Sequence, residues 1–229
     1  MKLEEIIPWG RSFDEYRRMF ALSDADLAGR ILGCGDGPAS FNAEANAQGH
    51  HIVSCNPIFA FQAAEIGRRV EECHATVLSH VRSNTGNYVW TRFRDPEHLG
   101  ECRLTAMRTF LADFDCGRHE RRYVTASLPA LPLADGQFTL AVVSHLLFLY
   151  SEHLNENFHI AAVEELLRVA VELRVFPILD LDRQVSRYVG PVCDRLMRAG
   201  LAVEVVAVDY EFQKAENHAG NRMLRVRRR

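Results

Sequence analysis

The sequence holds no Cys-x-x-Cys pair, no internal repeat, no low-complexity stretch, and no uncharged apolar run of the ~18 to 20 residues that a membrane-spanning helix needs. Cys34, Cys55, Cys73, Cys102, Cys116 and Cys193 are therefore read as reduced thiols rather than as a zinc site or a disulfide framework, and membrane insertion is excluded. The segment MKLEEIIPWG lacks an apolar signal core, so a cytoplasmic, soluble protein is expected. Positive charge is not in excess either. Lys+Arg 27 against Asp+Glu 30 leaves a net charge of -3, which gives nucleic acid or an anionic membrane no electrostatic grip. His-Glu-x-x-His spacing is missing. His50, His51, His153 and His159 read as surface or capping histidines, and no metal is expected.

What is present is an alternation of helical and strand patterns over 229 residues, read as one α/β domain, 1–229, with a helical extension over 1–28. Ser12 and Glu15 are spaced for a capping box, in which hydroxyl and carboxylate satisfy reciprocal backbone N–H groups; Phe13, Tyr16 and Phe20 follow on one helical face. A strand over Arg30 to Leu32 runs into the cluster Gly33-Cys34-Gly35-Asp36-Gly37. Pro38 suits the first turn of the next helix, which crosses ASFNAEANAQ and closes at Gly49. His51 to Cys55 reads as the second strand, ended by Asn56-Pro57.

Roughly 65 residues then precede the next strand, where a whole βαβ unit needs only ~30. Residues from about 60 to 120 are thus an insertion. Ile66, Val70, Cys73, Val77 and Val81 predict one helix, and Leu99, Cys102, Ala106, Phe110 and Phe114 a second. The surplus caps a site, pairs with a second copy of the chain, or enlarges the core. Strands are expected over Arg122 to Ala126, Phe138 to Ser144 and Glu172 to Phe176. Phe158, Ala162, Leu166 and Val169 share a helical face, and another helix runs from Pro191 to Ala199. Leu201 to Phe212 and Asn221 to Val226 form a terminal hairpin across QKAENHAG, so one of its strands opposes the rest of the sheet. The arginine tail, Arg225 to Arg229, reads as a solvated run after an edge strand.

A glycine cluster between a buried strand and a helix lets backbone approach a ligand. The dinucleotide fingerprint G-x-G-x-x-G does not fit. From Gly33 its third position is Pro38, and from Gly35 it is Ser40. Asp36 would also face a pyrophosphate with no nearby cation. The loop suits a ligand with an ammonium group and no phosphate. An NAD(P)-dependent oxidoreductase is the disfavoured reading.

Taken together, RILGCGDGPAS, HIVSCNPIFAF, SLPALPLADGQFTLAVVSHLLFLYSEHL and the terminal hairpin resemble the class I S-adenosylmethionine-dependent methyltransferases over about residues 12–229. The resemblance implies a doubly wound, mostly parallel seven-stranded sheet, Rossmann-like, with a reversed seventh strand. It implies S-adenosylmethionine as cofactor and a small-molecule methyl acceptor. Gly33, Cys34, Gly35, Asp36 and Gly37 would wrap the methionine part. Asn56, with Pro57, would meet the ribose, Ser127 and Leu128 the adenine, and Ser144 the methyl group, with Tyr16 closing over the ligand. His145 is the candidate catalytic base, because its ordinary pKa near ~6.5 lets it accept a proton. Two positions depart from the family's pattern: Gly33 stands where an acidic residue usually opens the glycine motif, and Asn56 where the ribose ligand is usually acidic. A binding or regulatory module without turnover is the alternative these departures suggest.

Overall fold

The computed structural model describes residues 7–228; the first six residues of the N-terminal extension and Arg229 of the tail lie outside the described residues. Fourteen regular elements follow in order: α1 (Phe13–Met19), α2 (Asp24–Leu27), β1 (Arg30–Cys34), α3 (Phe41–Ala47), β2 (His51–Cys55), α4 (Ala63–Ser83), α5 (Pro96–His119), β3 (Tyr123–Val124), β4 (Phe138–Ser144), α6 (Glu156–Val169), β5 (Ala170–Phe176), α7 (Val189–Arg198), β6 (Ala202–Ala207) and β7 (Arg222–Arg227). The strands form one seven-stranded sheet in the order β3-β2-β1-β4-β5-β7-β6. Neighbours from β3 to β5 are parallel, whereas β7 runs antiparallel to both β5 and β6. This is the Rossmann-like sheet with a reversed last strand that the sequence resemblance implies.

Local chemistry accounts for the elements. The Ser12/Glu15 capping box closes in both directions at the start of α1, where Ser12 Oγ accepts from Glu15 N at 3.3 Å and Glu15 Oε2 accepts from Ser12 N at 3.1 Å. Alternate residues of the central strands enter opposite layers. Ile31, Ile52, Leu140 and Val142 pack against α1, α3 and the start of α5, through Phe13, Met19, Phe41, Ala45 and Leu99. Leu32, Ala141, Val143, Leu173 and Val175 face α6 and α7, meeting Ala162, Leu166, Val192 and Leu196. Burial on both faces explains why β4 reads as a continuous apolar run.

The insertion holds two helices, as the spacing predicts. Of the two, α5 packs beside α3 and β3 in the main layer, and α4 lies against α5, joined through Ile66 and Val70 to Met107, Phe110 and Phe114. Val77, predicted on the buried stripe of α4, is only half-buried, and Leu78 takes the core position.

Several boundaries differ from expectation. Strand β1 continues two residues beyond Leu32, because Gly33 and Cys34 pair with both neighbours. Strand β3 has two residues instead of five, since the chain leaves the sheet edge at Thr125 and turns through Ser127, which bridges Ala130. Pro38 precedes α3 rather than occupying its first turn, with Ser40 at the N-cap. Strand β6 stops at Ala207, and the apolar residues beyond it, Val208, Tyr210 and Phe212, cross to the α1 layer. Strand β7 is internal, so Arg225 and Arg227 do not guard an edge but bind Glu172 at 2.7 Å and Glu204 at 3.0 Å.

Candidate functional site

The strand order reverses between β1 and β4, and at such a switch point the loops leaving the two strands part to form a crevice. A cavity of about 590 Å3 occupies this place, within the usual ~300–1,000 Å3 of small-molecule sites. Its walls come from the segments following four strands: Cys34 to Pro38, Cys55 to Ile58, Ala126 to Leu128, and Ser144 to Leu146. Tyr16 and Arg11 close one side, and Val77, Val81, Tyr88 and Phe212 another. Of the residues singled out by sequence, Tyr16, Cys34, Gly35, Asp36, Gly37, Asn56, Pro57, Ser127, Leu128, Ser144 and His145 all line it. Gly33 does not. A Cβ there would collide with the Asp36 carboxylate, so Gly33 makes room for that side chain to fold back beneath its loop. Gly35 and Gly37 take left-handed backbone at φ 79° and 58°. A side chain at Gly35 would also meet Leu146 Cδ2 at 2.8 Å, so substitution there disturbs the loop itself as well as the cavity.

The polar groups form one chain of contacts. Tyr16 Oη donates to Asp36 Oδ1 at 2.9 Å, and Ser54 Oγ donates to Asp36 Oδ2 at 2.6 Å. Asn42 of α3 donates to Ser54 Oγ at 3.2 Å. On the other side, the Ser144 hydroxyl lies 2.9 Å from His145 Nδ1. Tyr16 is held flat on Phe41, with ring centroids 4.2 Å apart. Burial pushes the Asp36 carboxyl up to about 6, partly offset by the hydrogen bonds from Ser54 and Tyr16. It remains mostly an anion at neutral pH, and among the described residues its side-chain partners are the neutral hydroxyls of Tyr16 and Ser54.

Arg11 is its counterpart. Its Nη1 reaches Trp9 O at 3.4 Å, and its buried Nε has no hydrogen-bond partner. Burial, and then repulsion from Arg103, lowers its pKa. Both effects would be relieved by an anion entering the cavity. Among the described residues neither Asp36 nor Arg11 makes an ion pair. His145 sits at left-handed φ 54°, anchored by its N–H to Phe176 O at 2.8 Å. Burial first, then the field of Arg11 and Arg103, drives its pKa well below the ordinary imidazole value, so the ring is neutral. Asn56 Oδ1 accepts from Ile58 N at 2.9 Å, which turns the amide into a local cap and leaves its Nδ2 as a donor.

His159, expected at the surface or in a cap, is fully buried: its Nε2 accepts from Phe148 N at 3.0 Å and its Nδ1 lies 2.9 Å from Asn155 O. It thereby anchors the loop that follows His145. Sequence reading missed Arg11, Ser54, Tyr88, Phe212 and Gln213. A lone polar residue inside HIVSC marks Ser54; nothing local marks the others, which reach the cavity from segments distant along the chain.

A doubly wound sheet with a reversed last strand and a small-molecule cavity at its switch point defines a Rossmann-like protein of the methyltransferase fold class. The chain belongs to the family of the uncharacterized protein MJ0045 of Methanocaldococcus jannaschii, to which it is 32% identical over 229 residues, covering 100% of this chain and 99% of that one. No protein-family model matches it. Among solved structures it is similar to magnesium protoporphyrin IX methyltransferase from Synechocystis PCC 6803 with bound SAM, at TM-score 0.45 and 12% identity over 95% of this chain and 91% of that one. A SAM-dependent methyltransferase from Aquifex aeolicus follows at TM-score 0.41 and 14% identity, with 88% and 81% covered. No helix of the described residues is long and apolar enough to cross a membrane.

Proposed function

We propose that the protein is an S-adenosylmethionine-dependent methyltransferase acting on a small molecule. One observation carries this reading: a carboxylate and a guanidinium, neither engaged in an ion pair among the described residues, face one cavity at a glycine loop that lacks the third glycine of a dinucleotide site. Opposite charges placed in this way suit the ammonium and carboxylate of an α-amino acid, not two phosphates. Asp36 would hold the ammonium and Arg11 the carboxylate. Asn56 Nδ2 would donate to the ribose, and Ser127, Leu128 and Pro57 would flank the adenine. The bound sulfonium would supply an already activated methyl group, so the protein's task is mainly alignment, an effect worth up to ~7 to 11 kcal/mol in well-oriented reactions. His145, neutral and within reach of Ser144 through Nδ1, would take a proton from the acceptor.

Isothermal titration tests the reading. S-adenosylmethionine and S-adenosylhomocysteine are expected to bind, NAD is not, and Arg11→Met is expected to weaken the first two at least about tenfold, the loss typical of a charge-assisted hydrogen bond. Binding of NAD alone would reject the proposal. Cofactor binding without any methylated product in a lysate supplied with labelled cofactor would identify a non-catalytic module instead.

The affinity also has a predictable pH dependence. Asp36 attracts an ammonium only as a carboxylate, and its pKa is about 6 in the free protein. Affinity for S-adenosylhomocysteine is expected to be flat above pH 7 and to fall about tenfold per unit below pH 6. A titration series across that range, repeated with adenosine as a ligand lacking the amino-acid group, checks it; equal slopes for the two ligands would assign the titration elsewhere.

A further inference from the structure

Beyond the proposed methyl transfer, and resting on it, the cavity contains evidence about its second ligand. Among the described residues, the carboxylate and the guanidinium that line the cavity are Asp36 and Arg11, and the amino-acid group of the proposed cofactor would match both. The rest of the cavity, away from the glycine loop and the strand ends, is walled mainly by Trp9, Val77, Val81, Tyr88, Leu149 and Phe212, with His80, Tyr150 and Gln213 as its polar members. Two of these are fixed by an arrangement that only the folded chain creates. Val89 N donates to Phe212 O at 2.8 Å, Lys214 N donates to Asn87 O at 2.9 Å, and Tyr88 bridges Gln213 antiparallel. The loop between α4 and α5 is thereby clasped to the connection between β6 and β7. Within the clasp Tyr88 lies nearly parallel to Phe212, with centroids 4.7 Å apart at 21°, and Phe93 stands edge-on behind Phe212 at 5.8 Å. Such rings present flat apolar surface already immobilised, so stacking a planar ligand on them loses little side-chain entropy.

The electrostatics narrow the acceptor further. Burial, ahead of the field of Arg11 and Arg103, keeps His145 neutral, and the same poorly solvated place disfavours an amine that arrives protonated. A histidine whose imidazolium is so disfavoured is a weak base, suited to a hydroxyl as acidic as a phenol, near the ~10 of tyrosine, and not to an aliphatic alcohol.

We propose that the acceptor is an uncharged, planar aromatic molecule bearing a hydroxyl group, stacked on the Tyr88–Phe212 clasp with its hydroxyl at His145. In the transfer, His145 Nε2 takes the hydroxyl proton while the oxygen gains the methyl group and the sulfonium sulfur keeps the bonding pair, leaving a neutral thioether, an aryl methyl ether and an imidazolium.

The test is calorimetric and needs no turnover. The full chain, saturated with S-adenosylhomocysteine, is titrated with 2-naphthol, 2-naphthoate, 2-naphthylmethylammonium and the saturated, non-planar 2-decalol. 2-Naphthol is expected to bind at least tenfold more tightly than either charged probe and at least fivefold more tightly than 2-decalol. Tyr88→Leu, at a half-buried position, and Phe212→Leu are each expected to weaken 2-naphthol about tenfold while changing S-adenosylhomocysteine affinity less than twofold. Preference for a charged probe, equal binding of all four, or unchanged 2-naphthol affinity in a Tyr88→Leu protein with wild-type circular dichroism would overturn the proposal. If S-adenosylhomocysteine binds and 2-naphthol does not, this inference fails alone. If 2-naphthol binds with the stated selectivity to a protein that ignores S-adenosylhomocysteine, the aromatic site stands and the methyltransferase reading falls.

Discussion

Asp36→Asn is expected to weaken S-adenosylmethionine binding by about 10- to 150-fold, the range for losing one charged hydrogen bond, while making the free protein more stable. The two effects have one cause. The Asp36 carboxylate is held in a poorly solvated place by hydroxyls alone, so its charge is costly until a cation arrives. A folded-state pKa of about 6, against about 3.9 for an ordinary aspartate, means that the native protein holds a proton that the unfolded chain has already released. Stability therefore falls as pH rises from 4 to 6, and above pH 6 the whole penalty is present. Two pKa units correspond to about 3 kcal/mol at most. Asparagine offers one acceptor oxygen in place of two, so either Tyr16 or Ser54 must reorient, and the variant recovers only about 1 kcal/mol of this, a rise of roughly 2–4 °C in Tm for a chain of this size. Melting both proteins at pH 4.5 and pH 7.5 checks the account: the advantage of the variant should appear at pH 7.5 and largely vanish at pH 4.5. Equal affinity of the two proteins for the cofactor would remove Asp36 from the site.

The second large effect is structural. Arg103 on α5 is completely buried, ion-paired with Glu15 of α1, 3.4 Å from Tyr210 Oη, and set over the ring of Phe93. Tyr210 in turn donates to Glu15 Oε1 at 2.7 Å. Burial alone would push the Glu15 carboxyl up; Arg103 reverses this and holds it below the ordinary carboxylate range. Arg103→Ala leaves that carboxylate uncompensated between α1, α5 and the segment after β6. A loss of about 3–5 kcal/mol is expected, as for other broken buried pairs, read as a drop of roughly 6–20 °C in Tm. The double variant Glu15→Gln/Arg103→Met, which removes both charges and keeps most of the volume, should recover most of the loss. If it is no more stable than Arg103→Ala, an uncompensated charge is not the source of the cost. This pair supports the site indirectly as well, because α1 carries both Glu15 and Tyr16, and Tyr16 is a hydrogen-bond donor to Asp36.

How far the site could be read from sequence depends on where its signals lie. Gly33 to Gly37, Asn56-Pro57 and Ser144-His145 are each marked by residues next to one another, because a strand ending in a tight turn needs glycine, proline or a capping amide at that very point. Arg11 carries no such mark: its importance lies in having no ion-pair partner among the described residues, which shows only in the folded chain. Gly33 was legible only as a departure from the family's pattern. The structure supplies the reason, since the Asp36 carboxylate occupies the space that a side chain at Gly33 would fill. The fully buried His159 is indistinguishable in sequence from the other histidines, because burial is a property of the packed loop and not of the residue.

By itself the sequence determined the α/β layering, the place of the glycine turn, the insertion of two helices and the terminal hairpin, because periodicity and turn chemistry act between residues close along the chain. Only the tertiary structure decided which residues meet across the cavity. The Tyr88–Phe212 clasp, the Glu15–Arg103–Tyr210 cluster and the facing charges of Asp36 and Arg11 join segments from distant parts of the chain. Such contacts depend on how helices and loops pack over the sheet, and no local pattern encodes the desolvation and fields that give these groups their chemistry.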